Sequence, residues 1–308
     1  RFLQPHVNAW VLNRILASSR SEINGRIDAN GGVVFVNPAG LYFGPNSTIN
    51  VNRLLASAHD ISNGSFLSDE WLFEGGQGDV IVDGEVRADR GAYLIGQRII
   101  NNGRIYAPGG AVLMAAGEQV MMRDPDGHMM VEVDGKTAEQ LREEGRRTDA
   151  VTDGPKGTAI TNTGDIEAKS INLMVGDMFS KAFDFSAGTI AAVSTDGSGK
   201  VEMFAASGSA ALGGTIEANG GQIDVVAPKV TTTGTLRSNG GSVNLTAGTD
   251  NFVEGDGRID VSSVGEAVGG FARLVGEKVG LFDRATVDAS GSKGGTVEIS
   301  GARIAQLG

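Results

Sequence analysis

The sequence predicts an all-β fold, a parallel β-helix of short stacked strands, and three observations carry the prediction. A unit beginning Gly25-Arg-Ile-Asp-Ala-Asn-Gly-Gly recurs along the chain. Within each unit apolar residues alternate, skip a glycine turn and alternate again. Neighbouring later copies lie roughly 20 to 28 residues apart, a period typical of solenoids. A β-sandwich of hairpins also uses short strands and glycine turns, but it does not require the same in-facing offsets in copy after copy.

The copies begin at Gly84, Gly103, Gly164, Gly214 and Gly234, with looser ones at Gly188, Gly257 and Ala285. In the first copy Ile27 and Ala29 precede Val34 and Val36. Ile105, Ala107, Val112 and Met114 follow the same scheme, as do Ile166, Ala168, Leu173 and Val175. Ile216, Ala218, Ile223 and Val225 repeat it, then Leu236, Ser238, Val243 and Leu245. Period 2 places each set on one face of a strand. The intervening Asn-Gly-Gly lets the chain corner sharply, through a residue tolerant of the left-handed region and two without Cβ. Coils stacked about 4.8 Å apart pair each strand with its counterparts above and below and satisfy the backbone. No coil buries its apolar face alone.

Composition narrows the function classes. Glycine is 47 of 308 residues while proline is only 7, which suits cornered strands rather than a disordered linker. The net charge of −11 and pI near 4.8 argue against nucleic acid and against an anionic membrane surface. No apolar run approaches a membrane span, so no membrane insertion of its own is expected. There is no cysteine, which means little in a cytosolic protein and in an exported one excludes disulfides. No secretory signal is visible. The chain opens on Arg1 and stops at Gly308 after a strand-like unit without a polar cap, so a mature form or piece of a longer protein is expected.

One segment occurs once, Asn37-Pro-Ala-Gly-Leu-Tyr-Phe-Gly-Pro45. Around it lie Asn13-Arg14, Ser21-x-Ile-Asn-Gly25, Asn30-Gly31, Ile49-Asn50-Val51 and Leu55-Ala56-Ser57. Phe66, Phe73, the Gly84 and Gly103 units and Ala115-Ala116-Gly117-Glu118 follow in order. This ordered set resembles the N-terminal domain of two-partner-secretion exoproteins, the filamentous-haemagglutinin type. The resemblance is dense over about residues 1 to 130, and the looser repeats to the end are compatible with it.

The resemblance implies a right-handed parallel β-helix in a protein secreted to the outside or cell surface of a Gram-negative-type bacterium. It implies transit of the periplasm and export through a dedicated outer-membrane β-barrel transporter, by way of its POTRA domains. The shaft then acts outside as an adhesin, haemagglutinin or toxin carrier, meeting a host-cell or surface receptor. Residues 1–130 are expected to be the secretion domain and 131–308 continuing β-helix repeats, with a helical excursion at 134–153. Asn24, Gly25, Asn37, Pro38, Gly40, Phe43, Gly44 and Pro45 are the candidate export-determining residues. Two readings of them stay open: direct contact with the transporter, or corners that shape the first coils. The family commonly has a second Asn where this chain has Ala39, so the side chain at 39 is not a candidate contact, while the backbone roles of Pro38 and Gly40 stand. A disulfide-free chain of neighbour-contacting repeats can be threaded unfolded and fold as it emerges. An extended segment could also add to a sheet edge of the transporter.

Other candidate chemistry is weaker. Asp124-Pro-Asp126-Gly-His128 gathers two carboxylates and an imidazole, and β-helices also serve as polysaccharide lyases and glycoside hydrolases, the alternative function. Those enzymes draw their carboxylates from both sides of a groove, whereas these sit in one turn ahead of a strand pattern at Met129–Val133. Asp153-Gly154, Asp196-Gly197 and Asp256-Gly257 suggest calcium turns but lack the stacked nonapeptide spacing. His6 and His59 lie in unrelated segments. The reading is therefore non-enzymatic, with no cofactor and no metal. A self-transporting passenger is disfavoured by the N-terminal motif.

Thr137 with Gln140 forms a capping box, Glu143 pairs with Arg147 four residues on, and Gly145 stops a short helix, read as a tolerated surface insertion. Met121, Met122, Met129 and Met130 are assigned to core packing. Phe179, Phe183 and Phe185 are assigned to the interior.

Overall fold

Short alternating strands cornered by glycine do stack into a parallel β-helix in the computed structural model, which describes residues 1–68, 70–123, 130–146, 157–194, 196–265 and 267–307. Each coil has three faces. In one later coil Thr215–Glu217 forms the first face, Gln222–Ala227 the second and Lys229–Thr232 the third. Each pairs in parallel with the next coil: Ile216 with Leu236, Val225 with Leu245 and Val230 with Asn251. The third face is an 11-stranded sheet among the described residues. The first two faces merge into one sheet because Glu85–Gly96, Arg104–Ala116 and Asp165–Val175 are single long strands, bent where their register shifts. Bulges of this kind let a strand turn without ending.

The in-facing residues of the copies starting at Gly103, Gly164, Gly214 and Gly234 form one continuous apolar axis. Phe179, Phe183 and Phe185 join it, each almost wholly buried, with 5.9 Å between the ring centroids of Phe183 and Phe185. Two asparagines within the axis are paired: Asn101 Nδ2 donates to Asn162 Oδ1 at 2.7 Å, and Asn162 Nδ2 to the Gly164 carbonyl.

The first copy departs from the expected register. Val33 and Phe35 enter the axis, while Val34 and Val36 face outward. Its corner is one residue shorter than in the copy at Gly214, which flips every following side chain. All five residues of Gly32–Val36 are buried, so no polar alternation marks the outward positions. Its Asn-Gly-Gly works differently too. Gly220 and Gly240 adopt φ of +73° and +72°, but Gly31 and Gly32 do not take positive φ. They make room for the N-terminal cap: a Cβ on Gly31 would lie 2.6 Å from the Ala9 carbonyl oxygen, and one on Gly32 would meet the Trp10 ring. The cap strand Trp10–Arg14 pairs with Gly32–Val36, and Gln4 and Asn30 exchange two 2.8 Å hydrogen bonds.

A second layer covers the outward apolar residues. Two excursions supply an antiparallel five-stranded sheet, Asp60–Ile61 and Glu70–Glu74 from the first, Gln119–Arg123, Met130–Val133 and Lys136–Thr137 from the second. Ile61, Phe73, Val120, Met122 and Val133 pack down on Val34, Val36, Leu55, Tyr93 and Ile95. Two short helices accompany it, α1 (Asn63–Phe66) and α2 (Ala138–Gly145).

The capping box on α2 is present. Gly145, however, is its last helical residue, and glycine is required there by close approach: a Cβ would lie 2.6 Å from the Ala205 carbonyl oxygen. Glu143 pairs with Arg146 at 2.6 Å; Arg147 lies outside the described residues. The insertion is thus docked on the shaft rather than merely tolerated. Met122 is buried in this layer, but Met130 is 48% exposed and is not core. Met129, the Asp124–His128 segment and Asp153-Gly154 lie outside the described residues.

The register predicts unequal effects at adjacent positions. Leu245 is fully buried in the axis while its neighbour Asn244 faces outward and is half-buried. Leu245→Asp should cost several kcal/mol, on the order of 3 to 5, and Asn244→Asp about 0.5 kcal/mol. Urea denaturation of the two variants measures the difference.

Candidate functional site: the corners of the first coils

The eight candidate residues lie on the strand Leu41–Phe43, its two flanking corners and the corner of the preceding coil. At the first corner Asn37-Pro38-Ala39-Gly40 makes a β-turn, with the Gly40 N–H donating to the Asn37 carbonyl at 2.8 Å. Proline presets the backbone at the second position of such a turn. Gly40 has φ of +112°, where a side chain is strained.

Asn37 is fully buried, and its carboxamide is used at both ends. Oδ1 accepts from the Ala39 N–H at 2.9 Å, closing a side-chain turn. Nδ2 donates to the Ser19 carbonyl at 3.0 Å and to Ser21 Oγ at 2.8 Å, in the preceding coil. The neutral amide supplies the one acceptor and two N–H donors that these three bonds use. The corner also binds the following coil, since the Pro38 carbonyl accepts from the N–H groups of Gln77 and Gly78, each at 3.1 Å. Gly78 has no room for a side chain, because a Cβ would lie 2.3 Å from the Gly40 nitrogen. One turn therefore fastens three coils.

The second corner repeats the design. The Ser47 N–H donates to the Gly44 carbonyl at 2.8 Å across Pro45 and Asn46. Gly44 N–H donates to the Ile23 carbonyl and Thr48 N–H to the Gly25 carbonyl. Phe43 is fully buried in the axis, level with Ile23 and Val82. Its carbonyl accepts from Asp83 and Gly84, at 2.8 and 3.2 Å. Gly44 packs against Asn24, whose Oδ1 occupies the position a Cβ would take. Asn24, Gly25 and Pro45 are exposed, whereas Asn37, Gly40, Phe43 and Gly44 are buried.

Sequence reasoning missed the partners of these residues. Ser19, Gln77 and Gly78 carry no motif of their own and are brought in only by coil stacking. Tyr42 points outward between in-facing Leu41 and Phe43. The Arg20 guanidinium lies 4.7 Å from its ring centroid, and its hydroxyl donates to Asp83 at 2.7 Å. That hydrogen bond to a carboxylate holds the Tyr42 phenol above its ordinary pKa. An outward aromatic flanked by two inward apolar residues was the available signal. A shallow polar groove leaves the second corner, lined by Pro45, Ser47, Asp83, Glu85, Arg104 and Asp165.

The remaining candidates are engaged locally. His59 is fully buried, with Nε2 2.9 Å from the Gly117 carbonyl and the Gly76 N–H donating to Nδ1 at 3.2 Å. His6 is exposed. Asp196 caps its own turn by accepting from the Ser198 N–H and from the hydroxyls of Ser194 and Ser198, and these bonds, the hydroxyls first, hold its carboxyl below the usual range. Asp256 pairs with Arg284 at 2.6 Å. No group of three His, Cys, Asp or Glu side chains placed to hold a metal is found among the described residues. No helix among them is long and apolar enough to cross a membrane.

Fold and corners together define a cornered β-helix whose first coils carry a singular, doubly fastened turn. The family model of the TPS secretion domain matches residues 1–203, and the chain belongs to that two-partner-secretion family. The crystal structure of the HMW1 secretion domain from Haemophilus influenzae has the same fold, with a TM-score of 0.67 and 21% identity, over 99% of this chain and 86% of that one. A heme/hemopexin-binding protein of Haemophilus influenzae is 28% identical over 151 residues, covering 46% of this chain and 17% of that protein. Another protein of that name from the same species is 36% identical over 73 residues, 24% of this chain and 8% of that protein. The chain thus spans less than a fifth of the length of these relatives.

The corner geometry separates two substitutions. Asn37→Ala strands the groups that its buried amide serves and should cost about 2 to 3 kcal/mol. Gly44→Ala should cost under about 1 kcal/mol, because the obstructing atom is the tip of an exposed Asn24 side chain that can swing away. Thermal and urea denaturation of both variants read the contrast.

Proposed function

We propose that this chain is the export module of a secreted, non-enzymatic exoprotein. Residues 1–130 address the chain to a dedicated outer-membrane β-barrel transporter through its periplasmic POTRA domains. Residues 131–308 continue the β-helix outward as the base of a shaft that serves adhesion at a host-cell or surface receptor. Family membership carries the reading, since the TPS secretion domain defines the class of partner.

The motif's roles divide between two states of the chain. In the folded chain Asn37, Pro38, Gly40, Phe43, Gly44 and Pro45 set the corners that join the first three coils, with Asn24 and Gly25 as the matching earlier corner. Before folding the same stretch is an extended segment whose Asn37 and Pro38 are available to the transporter as a strand added to a sheet edge. Absence of cysteine and contacts mainly between neighbouring coils suit passage as an unfolded chain.

Secretion by cells that carry the cognate transporter tests the proposal. Asn37→Ala and Pro38→Ala should each lower the amount of chain outside the cell by about tenfold or more, with the retained chain in the periplasm. Leu245→Asp leaves the address intact, so it should reach the medium but be digested by added protease. Export of the Asn37 and Pro38 variants at the level of the unsubstituted chain would overturn the assignment of the address to this motif.

A further inference from the structure

The helix α2 is more than a cover for the second layer. Its Leu141 is fully buried in the outer cluster that also holds Met174, Phe204 and Val226. Arg142 forms an ion pair with Asp224 and lays its guanidinium 4.7 Å from the Phe204 ring centroid. Gly145 brings backbone against the Ala205 carbonyl oxygen and Val226.

Asp224 occupies an outward position of the second face, level with Glu202 and Asn244 in the adjacent coils. Those two are half-buried, whereas Asp224 is 5% exposed. An outward carboxylate is buried this far because the helix lies on it. Burying that charge is tolerable only with its partner present, since removal of one member of a buried pair leaves an uncompensated ion.

These contacts join distant parts of the chain. The antiparallel layer is built from residues before α2, but the surface that α2 grips is made by the later strands Lys200–Ala205 and Gln222–Ala227. We propose that α2 is a latch, set only when those two strands have joined the shaft, which then clamps the antiparallel layer over the first coils. In a chain that folds from its N-terminus, the layer stays loosely held until Phe204 and Asp224 are in place. Closure thereby reports that the shaft has grown past Gln222–Ala227, a non-local checkpoint on a shaft that itself grows coil by coil. The inference goes beyond the export reading and does not rest on it, because its test needs no transporter.

The test follows the purified full chain refolding from urea, by pulse-labelled hydrogen exchange and mass spectrometry. The amides of Ala138–Gly145 should gain protection together with, or after, those of Lys200–Ala205 and Gln222–Ala227. In the native state Arg142→Ala should raise exchange in α2 and in Met130–Val133 by about tenfold or more, and leave Thr286–Asp288 unchanged. Reversing the pair, Arg142→Asp with Asp224→Arg, should recover protection that either single reversal loses, an outcome that general destabilisation does not give. Protection of α2 before the two strands, unchanged exchange in Arg142→Ala, or no recovery in the reversed pair would each overturn the latch.

Discussion

The structure depends on one steric condition: at the glycine corners that open the repeats from Gly84 to Gly257, a carbonyl of one coil stands where the next coil's Cβ would be. A Cβ on Gly103 would lie 2.1 Å from the Gly84 oxygen, one on Gly164 would lie 2.1 Å from the Gly103 oxygen, and one on Gly234 would lie 2.1 Å from the Gly214 oxygen. Backbone meets backbone at the layer spacing, so at these three corners a side chain has no room. At several corners the carbonyl just before the turn accepts two N–H groups from the coil above, as Val82 does from Asn102 and Gly103, and Leu212 from Thr233 and Gly234. This column of glycines fixes the register from which the apolar axis follows, because strands that start level place their in-facing residues level.

That condition explains what was legible in the sequence. A glycine every coil, followed by the same in-facing offsets, is a local pattern, and the axis from Ile105 to Leu245 could be read from it directly. The second layer has no such pattern. Its strands pair across two excursions, Leu72 against Met121 and Phe73 against Val120, and nothing near Phe73 in sequence announces Val120. Val34 and Val36 were misplaced for the same reason, because outward positions that are covered look like inward ones. The family motif was legible by being singular. The demands on Asn37 were not, since its partners Ser19 and Ser21, and those of Pro38 at Gln77 and Gly78, come from coil stacking alone.

The two layers also differ in what they ask of folding. Along the shaft each strand needs only the coil before it, so contacts form in chain order and long loops need not close first. The antiparallel sheet and α2 require segments that are far apart in the chain, and such contacts carry the cost of closing the chain between them. Stability and vectorial growth are therefore assigned to different parts of one domain, the axis growing by addition and the outer layer securing what has grown. Buried His59, bonded to Gly76 and Gly117 where the strands of the outer layer leave the shaft, ties the roots of that layer together.

On the export reading, the burial of Asn37 has a directional consequence. A side chain whose amide is consumed by Ser19, Ser21 and Ala39 offers nothing to a partner. Recognition of that residue and completion of its corner exclude each other, so the chain can be addressed only while unfolded. On that reading folding outside would remove the address, and the same three hydrogen bonds that stabilise the first coils would oppose return of the chain to its transporter. On this reading a residue that is both signal and corner would link passage to folding, because the free energy of making the corner is released once the coil closes.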